Sequence, residues 1–187
     1  LLTAHIQGLP TKIYDATRAA PLAANNFLLD GLVAGESLTI TETVGAYGSP
    51  NVGVRIVTAG LGSGDFVAGS DTLLSNYVLP TTASGAGIIH QRQLIATIIN
   101  DPTKVYDAND LAALTSADYL LSGFVGGQGA TVTETQGRYD SPNAGDRIIT
   151  AALGSADLTA NAGTMLSNYG LPTGAPGAGT DKPPSPI

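Results

Sequence analysis

Apolar and polar residues alternate along several short segments of this chain, and each of these segments occurs twice. Residues 37–41 read Ser-Leu-Thr-Ile-Thr, and residues 129–133 read Gly-Ala-Thr-Val-Thr. Apolar side chains at every second position are typical of a half-buried β-strand. Residues 55–59 and 147–151 carry apolar side chains on both faces, which favours a central strand. The pattern therefore predicts a mostly β fold.

Turn residues and a segment without glycine extend this prediction. The sequence Ser-Pro-Asn-x-Gly at residues 49–53 and 141–145 predicts a turn, because proline fixes φ and glycine accepts a positive φ. Residues 108–121 could hold a short helix, although Pro21 interrupts the equivalent segment of the first copy. Residues 88–99 contain no glycine, so we predict two strands end to end, the first closing one domain and the second opening the next.

The chain is one sequence written twice. Residues 1–87 and 93–179 align without a gap, and roughly half of the paired positions are identical. We predict a first domain at residues 1–91, a second at residues 92–179 and a proline-rich tail at residues 180–187. Prolines exclude the tail from a central strand, so the second copy either lacks its closing strand or ends the array. The expected architecture is two tandem β-rich domains, β-grasp-like or sandwich-like, joined end to end into a rod.

Composition narrows the possible functions. The formal net charge is −7 and the sequence pI is about 4.4, so a nucleic-acid partner is not expected. The chain lacks cysteine and tryptophan and has no apolar run near the ~18 residues of a membrane span, so we expect no disulfide, thiolate metal site or membrane insertion. His5 and His90 align with Thr97 and Lys182, so no Ser-His-Asp set occurs in both copies. We therefore expect neither an enzyme nor a cofactor.

Two short motifs, kept at the same separation in both copies, carry a resemblance to a known family. Lys-Ile-Tyr-Asp at residues 12–15 precedes Ser-Asn-Tyr at residues 75–77, and Lys-Val-Tyr-Asp at residues 104–107 precedes Ser-Asn-Tyr at residues 167–169. With the glycine-rich run and the isoleucine-rich strand, they resemble the YDG and MBG repeats of very large secreted bacterial adhesins. Those adhesins are of the filamentous-haemagglutinin type, leave the cell by two-partner secretion and include biofilm-matrix adhesins.

The resemblance implies a mostly β module in an extracellular stalk, secreted or held at the outer membrane of the bacterial surface. Alanine stands after each Tyr-Asp pair, where the family usually has glycine. The motif residues of both copies are expected to be structural, with tyrosine packed inward, aspartate bonded to the following amides and asparagine capping a turn. They are Lys12, Tyr14, Asp15, Asn76, Tyr77, Lys104, Tyr106, Asp107, Asn168 and Tyr169.

The same motif residues also allow a chemical alternative, a self-formed isopeptide bond between lysine and asparagine. It would join Lys12 to Asn76 and Lys104 to Asn168, with Asp15 and Asp107 moving the protons. Such a bond needs a buried lysine beside a protonated carboxylic acid.

A calcium-stabilised turn is a minor alternative. Asp140, Asn143 and Asp146 surround the Ser-Pro-Asn turn of the second copy, and oxygen ligands of this kind suit calcium. The first copy has Gly48 and Val54 at two of these positions, so the repeats share no metal site.

Two functions remain open. The first is a spacer, in which neighbouring repeats of the same chain hold a distal adhesive tip away from the cell. The second is a binding module for an extracellular polysaccharide or host glycan, with Tyr47 and Tyr139 stacking on sugar rings. These two tyrosines precede the Ser-Pro-Asn turns, so we expect them to be exposed.

Overall fold

The computed structural model describes residues 1–185, which divide into two compact units. The first unit spans residues 1–91, and the second begins at Arg92. Residues 1–185 contain β-strands and single turns of 3₁₀-helix and no α-helix. The predicted mostly β fold is confirmed.

The strands of the two units follow one another in the same order. The first unit contains β1 (Thr3–Ile6), β2 (Thr11–Ile13), β3 (Ala19–Pro21), β4 (Phe27–Asp30), β5 (Leu38–Ile40), β6 (Val44–Tyr47), β7 (Gly53–Gly60), β8 (Phe66–Ala68) and β9 (Thr82–His90). The second contains β10 (Arg92–Gln93), β11 (Ile95–Ile98), β12 (Thr103–Val105), β13 (Leu111–Ala113), β14 (Tyr119–Ser122), β15 (Ala130–Val132), β16 (Gln136–Tyr139), β17 (Gly145–Ala152), β18 (Leu158–Ala160), β19 (Tyr169–Gly170) and β20 (Gly174–Lys182). The predicted strands at residues 37–41 and 129–133 are confirmed as β5 and β15.

Within residues 1–185, six single turns of 3₁₀-helix connect the strands. They are Ala24–Asn26, Ser63–Asp65, Leu74–Asn76, Ser116–Asp118, Ser155–Asp157 and Leu166–Asn168. The helix predicted within residues 108–121 is wrong, because only one such turn forms there, between β13 and β14. The carboxylate of Asp118 accepts from the backbone N–H of Thr115 at 2.8 Å, and the chain then pairs with β11 as a strand. No helix in the described residues is both long and apolar enough for a membrane span.

Each unit is organised around a mixed sheet. In the first unit the strand order is β3-β6-β7-β9-β1-β4, with β2 pairing the same edge of β9 as β1, farther along the strand. In the second unit the order is β12-β20-β17-β16-β13, and β11 pairs β14. Two ribbons, β5–β8 and β15–β18, stand apart from these sheets.

The core of the second unit lies between its sheet and its ribbon. Tyr139, Ile149 and Ala151 of the sheet form one buried cluster with Val132 of the ribbon. No α-helix covers the sheet within residues 1–185, so of the two predicted architectures the sandwich-like one describes the unit better. The prediction that β7 is central is confirmed. Its outer face is not covered, however, since Ile56 is 61% exposed.

The second copy has its closing strand, so the first of the two alternatives given for its end, a missing closing strand, is wrong. Strand β20 is nine residues long, as is β9, and it pairs antiparallel with β17 and parallel with β12. It continues to Lys182, so the predicted tail at residues 180–187 belongs partly to the sheet. The prolines stop the strand only from Pro183 onward, after its last paired residue.

The closing strands need glycine where the first segment of each unit crosses them. The chain leaves the edge of β9 after β1 and returns to it with β2, and the loop between passes over Gly85. A Cβ atom at Gly85 would overlap the carbonyl oxygen of Ile6, and one at Gly177 would overlap that of Ile98. Close backbone approach is therefore the reason for glycine at both positions.

We predict that Gly85→Ala and Gly177→Ala each destabilise their own unit by about 1–3 kcal/mol, because the added methyl group has to displace backbone. Chemical denaturation followed by circular dichroism measures this loss. Gly60→Ala is the matched control, since its Cβ would have no neighbour within 4 Å and the second copy has Ala152 there. Equal stability of Gly85→Ala and Gly60→Ala would contradict the steric argument.

Candidate functional site

The lysine of each repeat motif closes the turn that follows it. Lys12 Nζ donates to Asp15 Oδ1 at 2.6 Å and to the carbonyl oxygen of Thr17 at 2.8 Å. Lys104 Nζ donates to Asp107 Oδ1 at 2.5 Å and to the carbonyl oxygen of Asn109. We call these two arrangements the lysine clips. They fix the chain between β2 and β3 and between β12 and β13.

The aspartates of the clips also bind the backbone, as predicted. Asp15 Oδ1 accepts from the N–H of Thr17 at 2.9 Å, and Asp107 Oδ1 accepts from the N–H of Asn109 at 3.2 Å. The alanine that follows each aspartate has a left-handed backbone conformation, with φ values of 63° at Ala16 and 64° at Ala108. The turn thus keeps the conformation that favours glycine, although both copies carry alanine.

The prediction that Tyr47 and Tyr139 are exposed is wrong. Their exposed fractions are 0% and 3%, and their hydroxyl groups donate to the carbonyl oxygens of Pro10 and Pro102 at 2.9 and 3.0 Å. The cause is the alternation of strands β6 and β16, which turns the last residue of each strand into the core. Neither ring can stack on a sugar in this fold.

The ring of each buried tyrosine lies beside the lysine of the clip in its unit. The ammonium of Lys12 lies 5.5 Å from the centroid of the Tyr47 ring, and that of Lys104 lies 5.5 Å from the Tyr139 ring. At this distance a cation is attracted to the ring. Burial raises the pKa of both tyrosines, with the charge of Asp15 adding to the rise at Tyr47.

The isopeptide bonds between lysine and asparagine stay a prediction that the contacts of the two lysines do not favour. Each lysine ammonium is held by its clip, and the asparagines lie in the 3₁₀ turns Leu74–Asn76 and Leu166–Asn168. Asn76 is exposed and Asn168 is buried. Equal spacing in both copies reflects a shared fold.

The tyrosines that follow these asparagines anchor a loop in each unit. The hydroxyl of Tyr77 accepts from the N–H of Val33 at 3.1 Å and donates to the carboxylate of Glu36. The hydroxyl of Tyr169 accepts from the N–H of Val125 at 3.2 Å and donates to Gln128 Oε1 at 2.5 Å. Their predicted structural role agrees with these bonds.

The tyrosines of the Tyr-Asp pairs differ between the copies. Tyr14 is 4% exposed, as expected for a tyrosine that packs inward, whereas Tyr106 is 41% exposed. Their backbone N–H groups make equivalent bonds, to the carbonyl oxygens of His90 and Lys182. The backbone position is thus shared by the two copies, while the inward packing holds only for Tyr14.

An arginine that was predicted only as the start of a strand holds each Ser-Pro-Asn turn. Arg55 donates to the carbonyl oxygens of Asn51 and Val52 at 3.0 and 2.8 Å. Arg147 donates to those of Asn143 and Ala144 at 2.8 and 3.1 Å. The signal available in the sequence was an arginine four residues after the asparagine in both copies.

This arginine bears directly on the weak calcium candidate. Asp140, Asn143 and Asp146 are exposed, and within residues 1–185 no three His, Cys, Asp or Glu side chains are grouped to hold a metal ion. The guanidinium of Arg147 donates a hydrogen bond to the carbonyl oxygen of Asn143 and brings a positive charge into the turn. Repulsion by this charge disfavours a calcium ion there.

The second unit contains a buried carboxylate that was missed in the sequence. Asp181 is 0% exposed, and neither of its carboxylate oxygens has a hydrogen-bond partner within the described chain. Its nearest cation is Lys104, with Nζ 3.6 Å from Oδ2. The equivalent residue of the first unit is Ile89, which is 1% exposed. A charged group thus stands at an apolar core position.

The clips shift the pKa values of their own charged groups. Partial burial acts to raise the pKa of Asp15, but the bonds from Lys12 and Thr17 outweigh it and hold the pKa below 3.8. The hydrogen bond from Lys104 likewise lowers the pKa of Asp107 below 3.8. For Lys104, loss of water contact acts to lower the pKa, but the aspartates Asp107 and Asp181 hold it above 10.5.

We predict that Ala16→Gly and Ala108→Gly stabilise the protein. The left-handed conformation destabilises an alanine by about 1–2 kcal/mol, and glycine removes this strain. Glycine also has more conformational freedom in the unfolded chain, which offsets part of the gain, so the net stabilisation is up to about 1 kcal/mol. Thermal unfolding measures the gain. Ala46→Gly, in strand β6, is the matched control and lowers the midpoint. A lower midpoint for all three variants would refute this account.

We predict that the clips lose their contribution to stability in acid. Because the folded-state pKa of each aspartate lies below 3.8, the contribution is present above that pH and disappears as the pH falls through the lowered value. Unfolding midpoints of the wild type and Asp15→Asn, measured from about pH 6 to about pH 2, therefore converge. Asp140→Asn, outside the clips, is the control and stays close to the wild type throughout. A constant difference for Asp15→Asn would show that the clip does not depend on charge.

Comparison with known proteins agrees with the repeat seen in the fold. The family model of the YDG domain matches residues 2–84 and again residues 90–176. The chain matches no curated protein and no solved structure. Since the two matched segments cover most of the chain and coincide with the two sets of strands, this protein belongs to the YDG-domain family.

Proposed function

We propose that this chain is a stalk segment of a large secreted bacterial adhesin, in which YDG domains act as spacers. The observation that carries the proposal is that the polar residues repeated in both copies form hydrogen bonds inside the fold. The lysines of the clips, the buried tyrosines and the turn arginines all donate hydrogen bonds to acceptors within their own unit. Residues that both copies keep therefore serve the fold, as expected of a spacer.

The tandem arrangement supports the same role. Each unit has its own sheet and its own closing strand, so each repeat completes its own fold, as a unit repeated in series requires. The acidic composition, with a net charge of −7, suits a surface segment that has to stay soluble and avoid nucleic acid and anionic membranes. The proposal places the protein outside the cell or at the bacterial surface and assigns it no enzymatic activity or cofactor.

The binding-module alternative loses its only named residues. Tyr47 and Tyr139 are core residues, and the grooves beside β3 and β13 are open and lined by small, aliphatic and charged side chains without an aromatic ring. Sugar recognition commonly uses a ring face, because the apolar face of a sugar packs against it. A role in glycan binding therefore has no specific support among the described residues.

We predict that the purified chain shows no saturable binding on an array of bacterial exopolysaccharides and host glycans. A lectin of known specificity on the same array is the positive control. Saturable binding that a soluble glycan displaces would overturn the spacer proposal in favour of a binding module.

A second arm tests the spacer role directly. The chain is fused between a bacterial surface anchor and a lectin domain, and adhesion to the lectin's glycan is compared with a Gly/Ser linker of equal length. A folded spacer keeps the lectin farther from the surface than a flexible coil does. Adhesion should thus exceed that of the linker when a capsule surrounds the cell. Equal adhesion would count against a spacer.

A further inference from the structure

We propose that the second unit forms an intramolecular isopeptide bond between Lys104 and Asp181. The proposal starts from the contact between these residues, with Nζ 3.6 Å from Oδ2 across two neighbouring strands. Lys104 of β12 and Asp181 of β20 stand opposite each other in the parallel register. The register thus fixes the amine beside the carboxyl carbon that it has to reach, which removes most of the entropic barrier to the reaction.

The surroundings favour the product. Asp181 is fully buried, and neither of its oxygens is hydrogen-bonded within the described chain. A buried carboxylate that lacks hydrogen bonds is costly, whereas an amide carries no charge. The same position holds Ile89 in the first unit, so the fold accommodates an uncharged group there. Conversion of the pair to an amide removes the buried charge of Asp181 together with the charge of the partly exposed Lys104.

The third group that the chemistry needs is also in place. Asp107 Oδ1 lies 2.5 Å from Lys104 Nζ, so it is placed to take the proton that the ammonium has to lose. The ion pair lowers the pKa of Asp107 and raises that of Lys104, so this transfer is uphill and sets the rate of the reaction. The ring of Tyr139, 5.5 Å from the same nitrogen, shields one side of the site from water. The acceptor carboxyl of Asp181 and the proton carrier Asp107 thus both lie close to Lys104 Nζ.

The reaction is a condensation that balances without a co-reactant. Lys104 transfers a proton to Asp107, and the free amine attacks Cγ of Asp181 to form the C–N bond while Asp107 passes that proton to a carboxylate oxygen of Asp181. A second proton, lost by the new C–N nitrogen, reaches the same oxygen through Asp107. The Cγ–O bond then breaks, and the oxygen leaves as water with protons that Asp107 relays. One ammonium and one carboxylate become one neutral amide and one water molecule.

The first unit supplies a natural comparison. Lys12 and Asp15 form the same clip, and the Tyr47 ring lies at the same distance, but Ile89 offers no carboxyl group. Within residues 1–185, only the second unit places a carboxyl group opposite this lysine. Of the three groups that the reaction needs, the acceptor carboxyl is the one that the first unit lacks.

Intact-mass measurement of the folded full chain tests the proposal. We expect the wild type to weigh one water molecule less than its sequence and a tryptic digest to contain one branched peptide joining Lys104 to Asp181. D181A should keep its full sequence mass. D181N should lose ammonia instead of water and reach the same final mass as the wild type, because both give the same amide. Full sequence mass in both the folded wild type and folded D181N would overturn the proposal and leave an ion pair.

Two further variants test the assigned roles. I89D places a carboxyl group opposite Lys12, and loss of a second water molecule in that variant would support the geometric argument. D107N removes the proton carrier and should abolish or strongly slow the mass loss while circular dichroism remains unchanged. Bond formation at the wild-type rate in folded D107N would overturn the role of Asp107.

Discussion

Pairing of the closing strand along both edges is the constraint on which each unit depends. Strand β9 binds β7 on one edge and the first strands of the unit on the other, and β20 does the same with β17 and β12. The beginning and the end of each unit therefore lie side by side in its sheet. The sheet cannot be completed until the whole unit is present, which favours all-or-none folding of each unit. The glycines of the closing strand permit this arrangement, since any side chain there would meet the crossing backbone.

The features that could be predicted from the sequence are those with a local cause. Alternation at residues 37–41 predicted β5, and the Ser-Pro-Asn-x-Gly segments predicted the turns before β7 and β17. The role of Asp15 was predictable because its partners lie within the next two residues. The repeat itself predicted two units. Each of these signals needs only a few neighbouring residues, or a comparison of the sequence with itself.

The features that could not be predicted depend on distant partners. Strand β6 reads Val-Gly-Ala-Tyr, so its inward positions are glycine and tyrosine and its outward positions are apolar. Such a strand gives no contrast by which to tell its faces apart, and Tyr47 was assigned to the wrong one. Asp181 was missed for a similar reason. Its significance depends on the register with Lys104, which no property of residues 180–187 reveals. Prolines just beyond the strand instead favoured an irregular tail.

The position of the Lys104–Asp181 pair has a mechanical consequence that follows from connectivity alone. Lys104 lies near the start of the second unit and Asp181 near its end, so a covalent bond between them would enclose most of the unit in one loop. A force applied to the two ends of the chain would then pass through the bond instead of through the hydrogen bonds of the sheet. The sheet and core within the loop would carry little of the load. In the first unit, where Ile89 stands opposite Lys12, the same force has to be resisted by strand pairing and the lysine clip. The exchange of isoleucine for aspartate at this one position would thus separate a repeat that extends under load from a repeat that does not.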